Sequence, residues 1–293
     1  MPSSLCGNCI FDSCNLCFDS DKKEQKAKIN IDMKRTLINS LPFELPEELW
    51  RIIRGARIYD SSCSPEARVY FIDKDGGYYL KASKKGTLKR EAQMTEYFHK
   101  KGLGAEVLGY LSGESDILLT RAISGEDCTP AEYRAEPKRL CDLLATRLRA
   151  LHEVDFSDCP VKDRVGEYLA LAEKNYRLDS YNKEHFPDSF GYSSGEEAWR
   201  ALNEGKSLLK NEVLIHGDYC LPNVMLNNFE FSGFIDLGNA GVGDRHIDLF
   251  WGAWSLSFNL KTDALTERFF DCYGRDKIDN YKLKTVAAAE VFG

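Results

Sequence analysis

Ile215-His216-Gly217-Asp218-Tyr219-Cys220-Leu221-Pro222-Asn223, followed by Phe234-Ile235-Asp236-Leu237-Gly238, decides how this chain is read. An aspartate five residues before an asparagine suits a phosphoryl-transfer centre. In such a centre the first carboxylate accepts or orients the proton of a hydroxyl nucleophile. The asparagine amide oxygen and a second carboxylate, placed after a β-strand, hold Mg²⁺. Asp218 is therefore expected to be catalytic, and Asn223 and Asp236 to be metal ligands.

Protein kinases place His-Arg-Asp and Asp-Phe-Gly where this chain has His216-Gly217-Asp218 and Asp236-Leu237-Gly238. The spelling "HGDYCLPNVM" and "FSGFIDLGNAGVGDRHIDL", with "LRALHEVDFSDCPV" at Leu148 to Val161, closely resembles the aminoglycoside 3′-phosphotransferases, the kanamycin-kinase branch of the antibiotic kinases. The resemblance runs from about Met33 to the end of the sequence. It implies an α+β, bilobal protein-kinase-like fold, with an N-terminal antiparallel sheet lobe over residues 33–124 and a larger, mainly helical lobe over 125–293. It also implies transfer of the γ-phosphate of ATP or GTP to the 3′-hydroxyl of an aminoglycoside, conferring antibiotic resistance. A related kinase acting on another hydroxylated small molecule is the alternative. A catalytically silent nucleotide-binding protein is the reading from another class, and the joint presence of Lys81, Glu91, Asp218, Asn223 and Asp236 argues against it.

Composition sets outer bounds. The 293 residues are 43% hydrophobic and 29% charged, ordinary for a folded enzyme and incompatible with wholesale disorder. No apolar run approaches the roughly 20 residues that cross a bilayer, so a cytoplasmic location without a membrane is expected. A net charge of −7 argues against nucleic acid and suits a cationic small-molecule acceptor without identifying one. Ten cysteines would stay reduced in that compartment, with Cys63, Cys128, Cys141, Cys159 and Cys272 serving mostly as small buried hydrophobes.

The leader differs from the rest. Cys6, Cys9, Cys14 and Cys17 form two C-x-x-C pairs within residues 1–32, a thiolate set that could close a tetrahedral Zn²⁺ site, although the very tight spacing between pairs favours a flexible or mis-assigned leader dispensable for phosphoryl transfer. The resemblance does not cover it, and Met33 is an alternative start.

Alternation across "RVYFID" and "YYLKAS", with Gly76-Gly77 between them, predicts a β-hairpin. Helical spacing predicts a helix over Arg90 to His99 and others over Pro137 to His152, Asp163 to Glu173 and Glu196 to Leu209. A strand is expected at Ile117 to Thr120, and a short hairpin carrying the catalytic elements around Val213 to Asp236.

On the nucleotide side, the resemblance makes Lys81 the phosphate-neutralising lysine and Glu91, ten residues later, its ion-pair partner. There is no G-x-G-x-x-G. The serine-containing turn offers Ser64 for the β-phosphate, with Ser61 and Ser62 as weaker candidates; Tyr79 would stack on the purine, and the backbones of Arg121 and Ile123 would meet the base edge. His216, Asp244 and Asp248 are expected to support the catalytic loop, with helix capping an equally good reading for the two aspartates. Glu184, Asp188 and Glu290 stand where the family places acceptor carboxylates. Two departures bear on acceptor choice. Asn239 replaces a common arginine, and the terminal acidic pair is reduced to Glu290 alone.

Overall fold

A computed structural model describes residues 35–63, 67–181 and 190–293. Ser64, Glu184, Asp188 and the cysteines at 6, 9, 14 and 17 lie outside the described residues. In chain order the elements are β1 (Thr36–Ile38), α1 (Glu47–Ile53), β2 (Arg57–Asp60), β3 (Ala67–Asp73), β4 (Tyr78–Lys84), α2 (Lys89–Lys100), β5 (Val107–Ser112), β6 (Ser115–Arg121) and β7 (Glu126–Asp127). They continue with α3 (Ala131–Ala135), α4 (Pro137–His152), α5 (Arg164–Arg177), α6 (Gly195–Gly205), β8 (Val213–Ile215), β9 (Val224–Asn227), β10 (Glu230–Phe234) and β11 (Gly241–Gly243). The last are α7 (Arg245–Leu260), α8 (Thr266–Tyr273) and α9 (Asn280–Glu290). The chain forms two compact units, one from residues 35–130 with Pro222–Ala240, the other from Ala131–Leu221 with Gly241–Gly293.

The first unit is built on an antiparallel sheet in the order β1-β2-β3-β4-β6-β5. Its pattern follows from the two-residue period of a strand: Tyr78, Leu80 and Ala82 are buried on one face of β4, which leaves Tyr79 and Lys81 together on the other. The buried face packs with Leu49 and Ile53 of α1 and with Tyr70, Ile72, Ile117 and Leu119. The start of α2 is tied down by Asp116, wholly buried, whose carboxylate accepts the Leu88 N–H at 2.9 Å and the hydroxyls of Ser112 at 2.7 Å and Tyr110 at 3.0 Å. Burial alone would raise the Asp116 carboxyl, but these donors hold it down at about 2.

A second, three-stranded sheet of this unit runs β10-β9-β7. Gly125 enters β7 with φ +94°, and a Cβ there would stand 2.0 Å from the Leu226 carbonyl oxygen, so only glycine allows the approach.

In the other unit, α6 and α9 meet through small residues. Ala198, Leu202, Ala288, Ala289 and Phe292 share one buried cluster, and a Cβ on Gly205 would lie 1.9 Å from Thr285 Oγ1. Helix starts in this unit are capped by side chains. Asp163 accepts from Gly166 N–H, Ser194 from Glu197 N–H and Asp279 from Tyr281 N–H.

The expected hairpin and helices occur at Ala67–Asp73 and Tyr78–Lys84, Lys89–Lys100, Pro137–His152 and Arg164–Arg177. Two expectations need correction. The helix expected over 196–209 ends at Gly205, and Lys206–Leu208 is a separate 3₁₀ turn. The segment 213–236 is not one hairpin: β8 pairs with β11, and the hairpin is β9–β10 alone. The reason lies in the chain. Val213, Leu214 and Ile215 are all buried and do not alternate, whereas Asn228 and Phe229 adopt φ of 52° and 65°, the left-handed pair that closes a tight hairpin.

Candidate functional site

The residues expected to act on the acceptor hydroxyl belong to the unit that ends in α9. His216 is wholly buried, and its Nδ1 lies 3.3 Å from the Asp218 backbone N–H, which donates to it. The histidine thus lies beneath the loop, shielded from solvent, and bonds its backbone. Asp248 of α7 reaches the same loop: its two carboxylate oxygens accept the backbone N–H groups of His216 and Gly217, each at 2.7 Å.

His152, at the end of α4, meets Asp248 Oδ2 through Nε2 at 3.2 Å, and its Nδ1 is 2.7 Å from the Tyr273 hydroxyl. Burial holds His152 below its ordinary range against the opposing pull of Asp248. Sequence reading passed over His152, although it closes the quoted "LRALH" stretch.

Asp244 differs from Asp248. It caps α7 through the His246 N–H, accepts the Lys210 N–H at 2.8 Å and pairs with Lys282 Nζ at 2.9 Å. Burial would raise its carboxyl, but the bonds from His246 and Lys282 hold it far below the usual range. Asp244 is a cap and Asp248 is the loop brace.

Two further groups surround Asp218. Burial pushes the Cys220 thiol well up, and the neighbouring Asp218 charge adds to that, so the thiol stays protonated and bonds to Asp218 and Ser255. Ser255 Oγ, in turn, accepts the Leu221 N–H at 3.0 Å. Glu290, the expected acceptor carboxylate, takes two donors on one oxygen, Tyr168 Oη at 2.8 Å and Trp251 Nε1 at 2.9 Å. Burial, with the neighbouring Asp218 charge adding to it, raises it to about 7 against those two bonds.

The residues expected to hold the nucleotide belong to the sheet unit. Lys81 Nζ donates to both oxygens of Glu91, at 2.9 and 2.8 Å, and to Asp236 Oδ1 at 2.9 Å. Burial alone would lower the lysine, but Asp236 and Glu91 outweigh it and raise it, so Lys81 is firmly ammonium. The β9–β10 register pairs Val224 with Phe234, and the Ile235 N–H donates to the Asn223 carbonyl at 3.1 Å. Asn223 and Asp236 are thereby set at the same end of one hairpin.

Asp236 has φ 58° and ψ 55°, left-handed backbone that a non-glycine residue adopts at a cost, which is where functional strain is commonly stored. Both side chains are hard oxygen donors, the chemistry Mg²⁺ prefers when phosphates complete its shell. Among the described residues no group of three or more His, Cys, Asp or Glu forms a metal cage, and the cysteine leader lies outside them.

Tyr79 shares the exposed side of β4 with Lys81; its ring lies 5.3 Å from Phe71, and its hydroxyl accepts from Arg35 at 3.0 Å. The Arg121 N–H donates to the Glu106 carbonyl at 2.9 Å, and Ile123 follows in the segment between β6 and β7. Ser61 and Ser62, which follow β2, both bond Val69 of β3. Asn239 ends the 3₁₀ turn after Asp236.

Comparison with known proteins identifies the family. Residues 64–282 match the profile of the phosphotransferase enzyme family. The chain is 52% identical over 263 residues to a probable aminoglycoside 3′-phosphotransferase of Lactococcus lactis subsp. lactis (strain IL1403), covering 89% of this chain and 99% of that one. Among solved structures, an aminoglycoside-3′-phosphotransferase of type VIII aligns with a TM-score of 0.68 at 24% identity, over 78% of this chain and 90% of the other. A Streptomyces rimosus aminoglycoside phosphotransferase in complex with ADP and streptomycin aligns with a TM-score of 0.64 at 19% identity, over 92% and 96%. The fold shared with these structures is protein-kinase-like.

Proposed function

Because this chain belongs to the phosphotransferase enzyme family, we propose that it transfers the γ-phosphate of ATP or GTP to the 3′-hydroxyl of an aminoglycoside, and so confers resistance to it. The observation that carries the reading is the Lys81–Glu91–Asp236 arrangement, a lysine with ion pairs to both the α2 glutamate and the aspartate of Asp236-Leu237-Gly238. A lone surface lysine would not be expected to collect two carboxylates, one of them 155 residues away in sequence.

In this mechanism Lys81 neutralises α- and β-phosphate charge, with Glu91 fixing its position. Asp236 and Asn223 would hold Mg²⁺, which when bound neutralises charge on the phosphates. Asp218 orients the acceptor hydroxyl and takes its proton as the oxygen attacks. The transition state is loose, so orientation and charge compensation account for most of the rate. The loop that carries Asp218 is held from behind by Asp248 and His152, which costs nothing at the moment of reaction because the order is built in by folding. Glu290 receives an acceptor ammonium group.

The test is acceptor-dependent nucleoside-diphosphate release from ATP and from GTP, with kanamycin, neomycin and a 3′-deoxy aminoglycoside. Turnover with kanamycin and none with the 3′-deoxy compound is expected. Equal turnover with the 3′-deoxy compound would place the phosphate elsewhere, and no turnover with any aminoglycoside would move the reading to another hydroxylated acceptor.

A further inference from the structure

Helix α7 has two unlike faces. One is packed: a Cβ on Gly252 would stand 2.7 Å from Phe269 and 3.2 Å from Tyr219, and Ser255 bonds the catalytic loop at Leu221. The other, partly exposed, carries Trp251, Trp254 and Phe258 at i, i+3 and i+7, which share one stripe of a helix. Trp251 and Trp254 meet edge to face at 5.4 Å between ring centroids, and Trp254 and Phe258 stack at 5.0 Å with only 11° between their planes.

We propose that this stripe is a stacking wall for one sugar ring of the acceptor, and that Trp254 and Phe258 determine which acceptors the enzyme takes. The inference rests on the functional reading above and specifies its binding surface.

Position is the first argument. The Trp251 indole N–H is bonded to Glu290, whose carboxyl senses the charge of Asp218. Ser255, one residue from Trp254, holds Leu221, three residues beyond Asp218. The stripe therefore begins at Glu290, which lies close enough to Asp218 to feel its charge, and runs along the helix whose packed face holds the Asp218 loop.

Chemistry is the second. An aromatic face packs against the C–H face of a pyranose, and its negative quadrupole attracts an adjoining ammonium group. An aminoglycoside ring offers both. The chain already supplies a stand-in: Lys261 Nζ stands 4.1 Å over the centroid of the Phe258 ring. That ring face takes an ammonium group, and an acceptor ammonium would compete with Lys261 for it. The wall also offsets the reduction of the terminal acidic pair to Glu290, because ring stacking holds a sugar without a second carboxylate.

Steady-state kinetics of the full chain with MgATP and kanamycin tests this, using Trp254→Leu, Phe258→Leu, Trp254→Phe and Lys261→Gln. The two leucine variants are expected to raise the acceptor KM by roughly 5- to 30-fold, the range lost with one stacking or cation–π contact, with the nucleotide KM unchanged. Trp254→Phe, which keeps a ring, should restore most of the affinity, and Lys261→Gln should lower the acceptor KM by removing the internal competitor. Unchanged acceptor KM in folded Trp254→Leu and Phe258→Leu, with wild-type turnover intact, overturns the wall while leaving the functional reading standing. Wild-type protein without any aminoglycoside-dependent turnover overturns both. If the leucine variants instead change only the oligomeric state, the stripe is an interface between copies and the proposal fails.

Discussion

Asp248 accepts the Gly217 N–H at 2.7 Å across 31 residues of chain, a bond that ties α7 to the backbone directly before Asp218. Its other oxygen is shared by the His216 N–H and His152. Three donors converge on one buried carboxylate, so removal leaves each of them without its acceptor. Asp248→Ala is expected to lower the unfolding free energy by about 3 kcal/mol, the cost of stranding partners of a buried charged group. Urea denaturation measures it. An unchanged midpoint would mean that the loop does not depend on this brace.

Lys81→Met removes charge-assisted bonds to Glu91 and Asp236 as well as the phosphate contact. Each such bond is worth about 1.5–3 kcal/mol, so kcat/KM for nucleotide should fall at least roughly tenfold. Glu91→Gln, which keeps the shape and removes only the positioning charge, should lose less. Equal nucleotide kcat/KM in Lys81→Met and wild type would remove Lys81 from the site.

Glu290 yields a pH prediction with two readouts. Its folded-state carboxyl titrates at about 7, above the ordinary 4.5, because burial outweighs the Tyr168 and Trp251 bonds. A raised folded value contributes stability that is present below the ordinary value and lost as pH rises through 7. Wild type should therefore lose stability relative to Glu290→Gln between pH 4.5 and 7, as thermal melts at several pH values would record. The acceptor KM should move oppositely, falling as pH rises through 7, because the ionised form binds an ammonium group. A flat KM profile over that range, with a cationic acceptor, would show that Glu290 does not meet the acceptor charge.

Gly125→Ala should destabilise by about 2–4 kcal/mol, combining a left-handed backbone with a Cβ driven into the Leu226 carbonyl. The substitution touches none of the residues assigned to chemistry. A melting temperature equal to wild type would contradict the close approach of β7 and β9.

Much of this was legible in the sequence for physical reasons. Tyr79 and Lys81 fall on one face because strands repeat every two residues, and the spacing of Asp218, Asn223 and Asp236 is the pattern on which the proposed chemistry rests. The separation of Asp244 from Asp248 was not legible, since both read as acidic residues near a helix start and only the fold shows which one faces the loop. Nor was His152: its partners Tyr273 and Asp248 are 121 and 96 residues away, and no local pattern marks such a contact. Tyr168 and Trp251 were hidden likewise, because their hydroxyl and indole N–H read as core aromatics until Glu290 is seen between them. The strand Val213–Ile215 failed as a hairpin arm because its partner, Gly241–Gly243, has hardly any side chains to announce itself.

The most direct test of the account compares wild type with Asp218→Asn for kanamycin-dependent nucleoside-diphosphate release in the presence of Mg²⁺, with nucleotide affinity measured on the same preparations. A positioned base contributes about 10²–10⁴-fold, so the variant should lose at least 100-fold in turnover while binding nucleotide as wild type does. Turnover within a few-fold of wild type would contradict the assignment of Asp218, and with it the phosphoryl-transfer centre built around that residue.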